Sequence, residues 1–455
     1  MTISNSTISK DQEKFLVNKL LDRSYIKLVM AGICDQVQMR EGAGLIAYFV
    51  RYARMNVPVA SLSEGVTPSD SNFTLDEVTV TLDQWGDYII LTDVAQLTAK
   101  HPLMTQAVEL LADNAARVMD REITIVLLAG TNVQFGNGTV TTRDTITSSM
   151  KISDTVIGQV RVTMVSNGAP PRGGPSGDAR QTAATGNFQN GLNYVAIAGP
   201  QVIQDVMSPA TSFGTWVSAA TYANAKQLYA AEAGTWLGIR FVETNFLPKF
   251  VLLGGTTTAA AIGASAGGIT GLTTAVGAGS LSNATYAWKV TRKDLLRGFE
   301  EAISIPHTSA TGAGTSSISF TMPSTAGFVY NLYFDKTGGG GSAIDSNLGL
   351  VAANLAASSV TAVTAASSSS TNPPNSLRNS LDSADPSAVH PVFVLGEAAV
   401  SWVGFYKPRF LLSPTGATNV DPLAQRRTAG YKFFGKSVIK DQTRLLRLEV
   451  ASSFS

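Results

Sequence analysis

Between Pro102 and Gly130 the chain carries one unbroken helical pattern, and no other segment constrains the fold as strongly. Leu103, Ala107, Leu110, Leu111, Val118, Met119, Ile125, Val126 and Leu128 recur at helical spacing, with Asp113, Arg117 and Arg121 between them. Pro102 suits a first-turn position and Gly130 the residue just past the end. The pattern predicts a helix over 103–129, a rod of about 40 Å at ~1.5 Å per residue. Such a helix is much longer than the average in globular proteins.

The segments around it read as strands. Leu45–Tyr52 is a strand-like run, and Val78, Val80 and Leu82 alternate with Thr79, Thr81 and Asp83. The strand pattern resumes at Tyr88–Leu91. Residues 56–75 carry turn chemistry in Pro58, Glu64-Gly65, Thr67-Pro68 and Ser69–Asn72. Two strands joined by a polar loop of roughly 20 residues make a long hairpin; loops of that length inside a domain are uncommon and usually functional. A bare two-stranded hairpin is marginal alone and wants a surface to lie on. Before it, residues 11 to about 33 read as an amphipathic helix, with Phe15, Leu16, Leu20, Leu21, Leu28 and Val29 at roughly helical spacing.

After the long helix, residues 166–190 are Gly- and Pro-rich and read as an exposed, mobile loop. Globular composition returns over 192–250, with strand candidates Tyr194–Ala198 and Ile239–Glu243. Composition then changes abruptly near Phe250: residues 254 to about 282 are almost all Gly, Ala, Thr and Ser. Short strand patterns follow at Tyr286–Val290, Ile303–Ile305, Ser317–Thr321 and Phe328–Phe334, and suggest a small β-sandwich. Ala365–Asn375 reads as linker, and globular composition resumes at Pro391–Gly396. Residues 251–390 are therefore expected to be a domain inserted into a host that continues on both sides, as exposed loop tips permit.

The 455 residues suggest about three domains at ~150 residues each. Charged residues make up only 15%, well under the ~25% of an ordinary soluble domain. The formal net charge of +1 disfavours a globally basic nucleic-acid binder. Low charge with 41 Gly fits a chain that hides surface against copies of itself. The single cysteine, Cys34, excludes an intramolecular disulfide and any multi-cysteine metal site, and reads as buried filler. His101, His307 and His390 show no paired-ligand spacing. The first residues, Met1–Ser6, have no basic start followed by an apolar stretch and are not read as a secretory signal. No run approaches the ~18 apolar residues of a membrane span.

Little points to catalysis. Gly263-Ala264-Ser265-Ala266-Gly267 matches G-x-S-x-G, but it lacks the apolar strand before and the helix after that a nucleophile elbow needs. Asp76-Glu77 and Glu300-Glu301 are neighbouring carboxylates that read as solvated charges, since successive strand residues point to opposite faces. Arg426-Arg427, Lys432, Lys436, Lys440, Arg444 and Arg447 read as a solvated strand edge with salt bridges, the alternative being a surface for phosphate or an acidic neighbour. No catalytic residue, cofactor or metal is expected.

Leu62-Ser63-Glu64-Gly65-Val66-Thr67-Pro68 and the segment Thr81–Asp93, with Asp83-Gln84-Trp85-Gly86-Asp87-Tyr88 at its centre, resemble hallmarks of the major capsid proteins of tailed phages of the coliphage N-four type. Further blocks follow in family order: Met119-Asp120-Arg121-Glu122, Leu128–Val133, Trp216-Val217 with Tyr222-Ala223, Gly238–Thr244, Val394–Glu397 and Asp421-Pro422-Leu423-Ala424-Gln425-Arg426-Arg427. Together they cover about 45–250 and 391–451.

The resemblance implies an α+β chain with the Hong Kong 97-type capsid fold. In its terms, 1–43 is the N-terminal arm, 44–98 the extended hairpin loop, and 99–165 the peripheral domain with its spine helix. Residues 166–250 and 391–430 form the axial domain, and 431–455 returns to the peripheral domain. The inserted 251–390 is similar to immunoglobulin-like or fibronectin type III domains. The implied function is a structural shell protein, not an enzyme, forming pentamers and hexamers of an icosahedral head around double-stranded DNA. Its partners would be itself, a separate scaffolding protein, a portal, DNA by non-specific contact and a decoration protein, with no membrane. It would assemble in the host bacterial cytoplasm and reside in the virion. Glu64, Gly65, Pro68, Trp85, Arg51, Arg426 and Arg427 are the expected intersubunit contacts. The alternative reading is a surface adhesin carrying an immunoglobulin-like module.

Overall fold

The computed structural model describes residues 2–3, 29–42, 44–52, 61, 73–99, 103–141, 143–172, 193–207, 217–218, 231–250, 270–302, 307–310, 316–323, 327–337, 347–373, 388–405, 409–412, 423 and 425–454. The chain divides into two compact units, each drawn from several stretches. One takes Met1–Ser24, Ile33–Ile123 and Ala398–Asp441; the other takes Tyr25–Gly32, Thr124–Glu397 and Gln442–Ser455.

The first unit is organised by the long strand Arg426–Ile439. Asp83–Thr92 pairs with it antiparallel, from Arg426 opposite Thr92 to Gly435 opposite Asp83. Val400–Gly404 and Arg409–Leu412 also pair with it antiparallel. Asp35–Gln38 extends the sheet beside Val400–Gly404, and Thr2–Ile3 pairs with Asp83–Thr92. Along Arg426–Ile439 one face is buried at Ala429, Tyr431, Phe433, Gly435 and Ser437, the period of two that a half-covered strand shows. On that face Tyr431 stacks on Phe433 at 6.0 Å between ring centroids, and Trp402 tilts against Phe433 at 6.2 Å. Position 435 has to be glycine, because a Cβ there would stand 2.3 Å from the Trp402 ring.

The spine helix runs Leu103–Leu128, one residue short of the expected end. Its Leu103–Ile123 stretch belongs to the first unit. Ala107, Leu111 and Ala115 recur every fourth residue and are buried, which makes the stripe that lies inward. Asn114 donates to Asp87 at 3.0 Å and the Ser437 hydroxyl to the Glu122 carbonyl at 2.9 Å, tying the helix to two neighbouring strands. Leu110 and Ile125, counted with the apolar set by periodicity, are exposed because they sit off that stripe.

The C-terminal stretch 431–455 divides in two. One strand ends at Ile439, a 3-10 turn occupies Gln442–Arg444, and Leu445–Ala451 enters the sheet of the second unit. That sheet has the order Val133–Phe135, Leu445–Ala451, Val389–Leu395, Tyr194–Ala198, Ile239–Glu243, Glu232–Trp236, Val217–Ser218. Tyr194–Ala198 and Ile239–Glu243, both expected as strands, are parallel neighbours. The helices Asp154–Ser166 and Pro200–Met207 bring Val156, Ile157, Val160, Met164, Val202, Ile203 and Val206 onto Val392, Val394, Leu446 and Leu448. The helices cover one face of the sheet, and three central strands are buried at every residue, so their other face is covered as well.

A charge cluster lies within this unit. Glu449 is fully buried, and Arg143 grips its carboxylate through two nitrogens at 2.5 and 2.6 Å. Arg447 Nε stands 2.9 Å from Glu449 Oε1, and another Arg447 nitrogen donates to the Leu128 carbonyl at the end of the spine helix. The Arg143 guanidinium lies 3.8 Å over the Phe250 ring. Burial lowers the Arg447 pKa, against the pull of Glu449. Arg447 is therefore not part of a solvated edge, as the basic cluster suggested, whereas Lys436 is partly exposed and pairs with Asp83 at 2.7 Å.

Within the second unit, Thr270–Leu281, Ser316–Thr321 and Val360–Val363 form a three-stranded sheet. A second sheet holds Glu300–Ala302, Thr285–Asp294, Phe328–Asp335 and Leu348–Leu355, with His307–Ala310 also on Thr285–Asp294. Both contribute to one core of Tyr286, Trp288, Ile318, Phe320 and Phe334. Trp288 meets Phe320 edge-on at 5.2 Å, and Tyr286 stacks on Phe334 at 5.4 Å. The strand expected at Ile303–Ile305 lies outside the described residues, directly after Glu300–Ala302. Glu300 accepts the Tyr333 hydroxyl at 2.8 Å and the Thr291 hydroxyl, so it is held in the sheet rather than solvated.

Glu449→Ala leaves two buried guanidiniums without their carboxylate, and is expected to cost roughly 3–5 kcal/mol. Urea unfolding of the variant against the unchanged chain checks this; a loss under about 1 kcal/mol contradicts the clamp.

Candidate functional site

Within the first unit, the hairpin is a sheet of only two strands. Ile46–Tyr52 and Leu75–Thr81 are antiparallel, from Ile46 opposite Thr81 to Tyr52 opposite Leu75. Alternation gives it two faces. Ala47, Phe49, Val78 and Val80 point to one side and pack with Leu82, Val403 and Val438. The other side carries Ile46, Tyr48, Val50, Tyr52 and Leu75, every one exposed, with Tyr48 at 60% and Tyr52 at 65%. Phe73 extends this face and meets the Tyr52 ring edge-on at 5.7 Å. A contiguous apolar strip on a two-stranded sheet is unusual for a surface that stays in water.

Charges fix the hairpin to its unit. Arg51 bridges the cross-strand partner Asp76 at 2.9 Å and Asp441 at 2.8 Å, and these two carboxylates raise its pKa. The Lys440 ammonium sits 5.2 Å from the Phe49 ring and 3.9 Å from Asp35. Asp76 and Glu77 point to opposite faces, as alternation requires. Other exposed apolar side chains in the unit include Tyr88, Leu97 and the run Phe410-Leu411-Leu412 on the strand beside Ala429–Lys432.

The expected contact residues separate into three groups. Glu64, Gly65 and Pro68 lie outside the described residues. Arg51 holds the hairpin to Asp441, and Trp85 donates to the Gly435 carbonyl at 3.3 Å under the Arg121 guanidinium, 5.2 Å away, so both make contacts within their own unit. Arg426 and Arg427 are exposed at the start of their strand, opposite Thr92 and Leu91. Tyr48, Val50, Tyr52 and Phe73 were not singled out from sequence. Their signal was present, since Leu45–Tyr52 is apolar on both parities, but it also reads as a strand covered on both faces.

Ser265 lies outside the described residues, and Cys34 is buried. Among the described residues no three His, Cys, Asp or Glu side chains gather as a metal site, and no helix is long and apolar enough to cross a membrane.

No family model and no curated protein matches the chain by sequence. Solved structures do match. The capsid of the cyanophage Pam1 aligns over 100% of this chain and 99% of its own, with a TM-score of 0.51 at 10% identity. This is a phage capsid fold. The capsid of Ralstonia phage GP4 aligns over 97% of this chain and 96% of its own at 9% identity, TM-score 0.49. The acid-stable capsid of Helicobacter pylori bacteriophage KHP30 aligns over 99% and 98% at 11% identity, TM-score 0.49. The α+β, Hong Kong 97-type architecture implied by the sequence blocks is the fold that the Pam1 likeness shows.

Arg51→Met is expected to loosen the hairpin and to cost about 1–3 kcal/mol, because the exposed Asp76 pair contributes little but the largely buried Asp441 carboxylate loses its guanidinium. Hydrogen exchange across Ile46–Tyr52 and Leu75–Thr81 should quicken in the variant, and unchanged exchange would show that apolar packing alone holds the strands.

Proposed function

We propose that the chain is the major capsid protein of a tailed phage and that many copies self-assemble, as pentamers and hexamers, into an icosahedral head around double-stranded DNA. The observation that carries this reading is the bare apolar face of the hairpin, on a fold shared with the Pam1 capsid. In a subunit that spends its life alone such a face favours non-specific association. In a shell each copy covers its neighbour's hairpin, and a contact too weak to hold two subunits becomes stable when repeated around a closed surface. The low overall charge acts in the same direction, since it leaves little repulsion between copies.

In this reading 1–43 is an arm across a neighbour, 44–98 the extended loop, and 99–165 with 431–455 the peripheral domain. Residues 166–250 and 391–430 are the axial domain near the capsomer centre. Glu64, Gly65 and Pro68, with Arg51, Trp85, Arg426 and Arg427, meet the next subunit. The segment 251–390 is an immunoglobulin-like insertion that either projects outward or stiffens capsomer contacts. A separate scaffolding protein and a portal complete assembly in the bacterial cytoplasm, a decoration protein joins the finished head, and DNA is held by non-specific contact. No catalytic role is proposed.

The test is the triple variant Tyr48→Ser, Val50→Ser, Tyr52→Ser, expressed alone and with the phage's other head proteins. All three side chains are exposed, so folding should be preserved and circular dichroism should match the unchanged chain. Sucrose-gradient sedimentation and negative-stain microscopy should show shells or capsomer rings for the unchanged chain and none for the variant. Shells at the same yield from both would remove the hairpin face from assembly.

A further inference from the structure

Away from the hairpin, the second unit holds a pocket at the start of the Pro200–Met207 helix, lined by Gly199, Pro200, Gln201, Lys249, Arg297 and His390 among others. Three stretches far apart in sequence supply its basic groups. Lys249 comes from the segment after the Ile239–Glu243 strand, Arg297 from the turn after Thr285–Asp294, and His390 from the Val389–Leu395 strand. Among the described residues neither Lys249 nor Arg297 has a carboxylate within ion-pair distance. They repel each other instead, and burial together with Arg297 lowers the Lys249 pKa. His390 is 3% exposed, and its Nε2 has no hydrogen-bond partner. The one carboxylate that acts on it, Asp205, already accepts the Ser453 amide at 3.0 Å.

Two cations without a carboxylate partner, an orphaned buried imidazole nitrogen and a helix start make an arrangement that, among the described residues, lacks its counter-charge. Pro200 has no amide hydrogen, so Gln201 and Val202 carry the first-turn donors, whose dipoles favour an anion. Burial, with Lys249, pushes the His390 imidazole down to about 4, so near neutral pH the ring is uncharged and Nε2 can carry its one proton as a donor. The cavity measures about 100 Å³. That is below the roughly 300–1,000 Å³ of a drug-sized ligand site, so it suits a small ion rather than a nucleotide.

We propose that this pocket binds a small tetrahedral oxyanion of the phosphate class. Lys249 and Arg297 supply charge, His390 Nε2 and the first-turn amides supply directed hydrogen bonds, and the ion joins the Arg297 turn to the strands beneath it. The proposal is independent of the assembly reading, because the site lies within one chain.

The probe is inorganic phosphate, titrated by calorimetry into the full chain near neutral pH, with chloride holding the ionic strength constant. Saturable binding is expected, weakened about tenfold or more by Arg297→Gln and by Lys249→Gln, as loss of a charged hydrogen-bond donor requires. In phosphate-free chloride buffer each variant should melt at or above the unchanged chain, since each removes one of two repelling cations. No saturable heat from the unchanged chain overturns the proposal, as does equal binding by Arg297→Gln, or a lower phosphate-free Tm for that variant. Arg297 lies on a partly exposed turn, so its variant decides the matter even if Lys249→Gln does not fold.

Discussion

The antiparallel pairing of Asp83–Thr92 with Arg426–Ile439 is the contact on which the first unit depends. It joins segments from opposite ends of the sequence: Trp85 donates to the carbonyl of Gly435, 350 residues away. Closing so long a loop costs little more than closing a short one, because the entropy grows only with the logarithm of length. The intervening chain can therefore be spent on a second unit without undoing the first. The spine helix is anchored to these two strands by Asn114 and Glu122, and the inner hairpin face packs on Leu82 and Val438 next to them.

The two units hold together by different means. The first relies on aromatic and apolar contact across sheet strands, with glycine admitting Trp402 where any side chain would collide. The second buries charge: Glu449 lies between Arg143 and Arg447, and Arg447 also satisfies a carbonyl at the spine helix end. A buried cluster of this kind adds little net stability over an apolar core, but breaking one member is costly, so it fixes which side chains can sit there.

Local periodicity made several elements readable in advance. The spine helix, Tyr194–Ala198, Ile239–Glu243 and the strands around Trp288 each follow from a repeat within a few residues. Arg426–Ile439 was harder, because Gly430 and Gly435 weaken its strand signal. Those glycines are there for Tyr88 and Trp402, neighbours that sequence does not reveal. Likewise Arg447 read as one of a run of surface cations until Glu449 and Arg143 closed around it. Arg51 and Trp85 also have partners within their own unit that the sequence pattern does not announce: Asp441 for Arg51 and the Gly435 carbonyl for Trp85.

What the sequence determined by itself was the kind of each element and the outline of the chain: a long helix, a hairpin with a polar loop, and a Ser/Thr/Gly-rich stretch with short strands. These depend on patterns between near neighbours, which a chain carries wherever it folds. Only the tertiary structure decided which apolar faces stay open. Ile46–Tyr52 has apolar residues on both sides, and the side bearing Tyr48, Val50 and Tyr52 is exposed because, among the described residues, the core packs only against the opposite face of Ala47 and Phe49. The same holds for the pocket of Lys249, Arg297 and His390, whose members are scattered in sequence and gain meaning only when folding sets them around one cavity. Burial and charge pairing are properties of neighbours in space, and most of those neighbours are far apart along the chain.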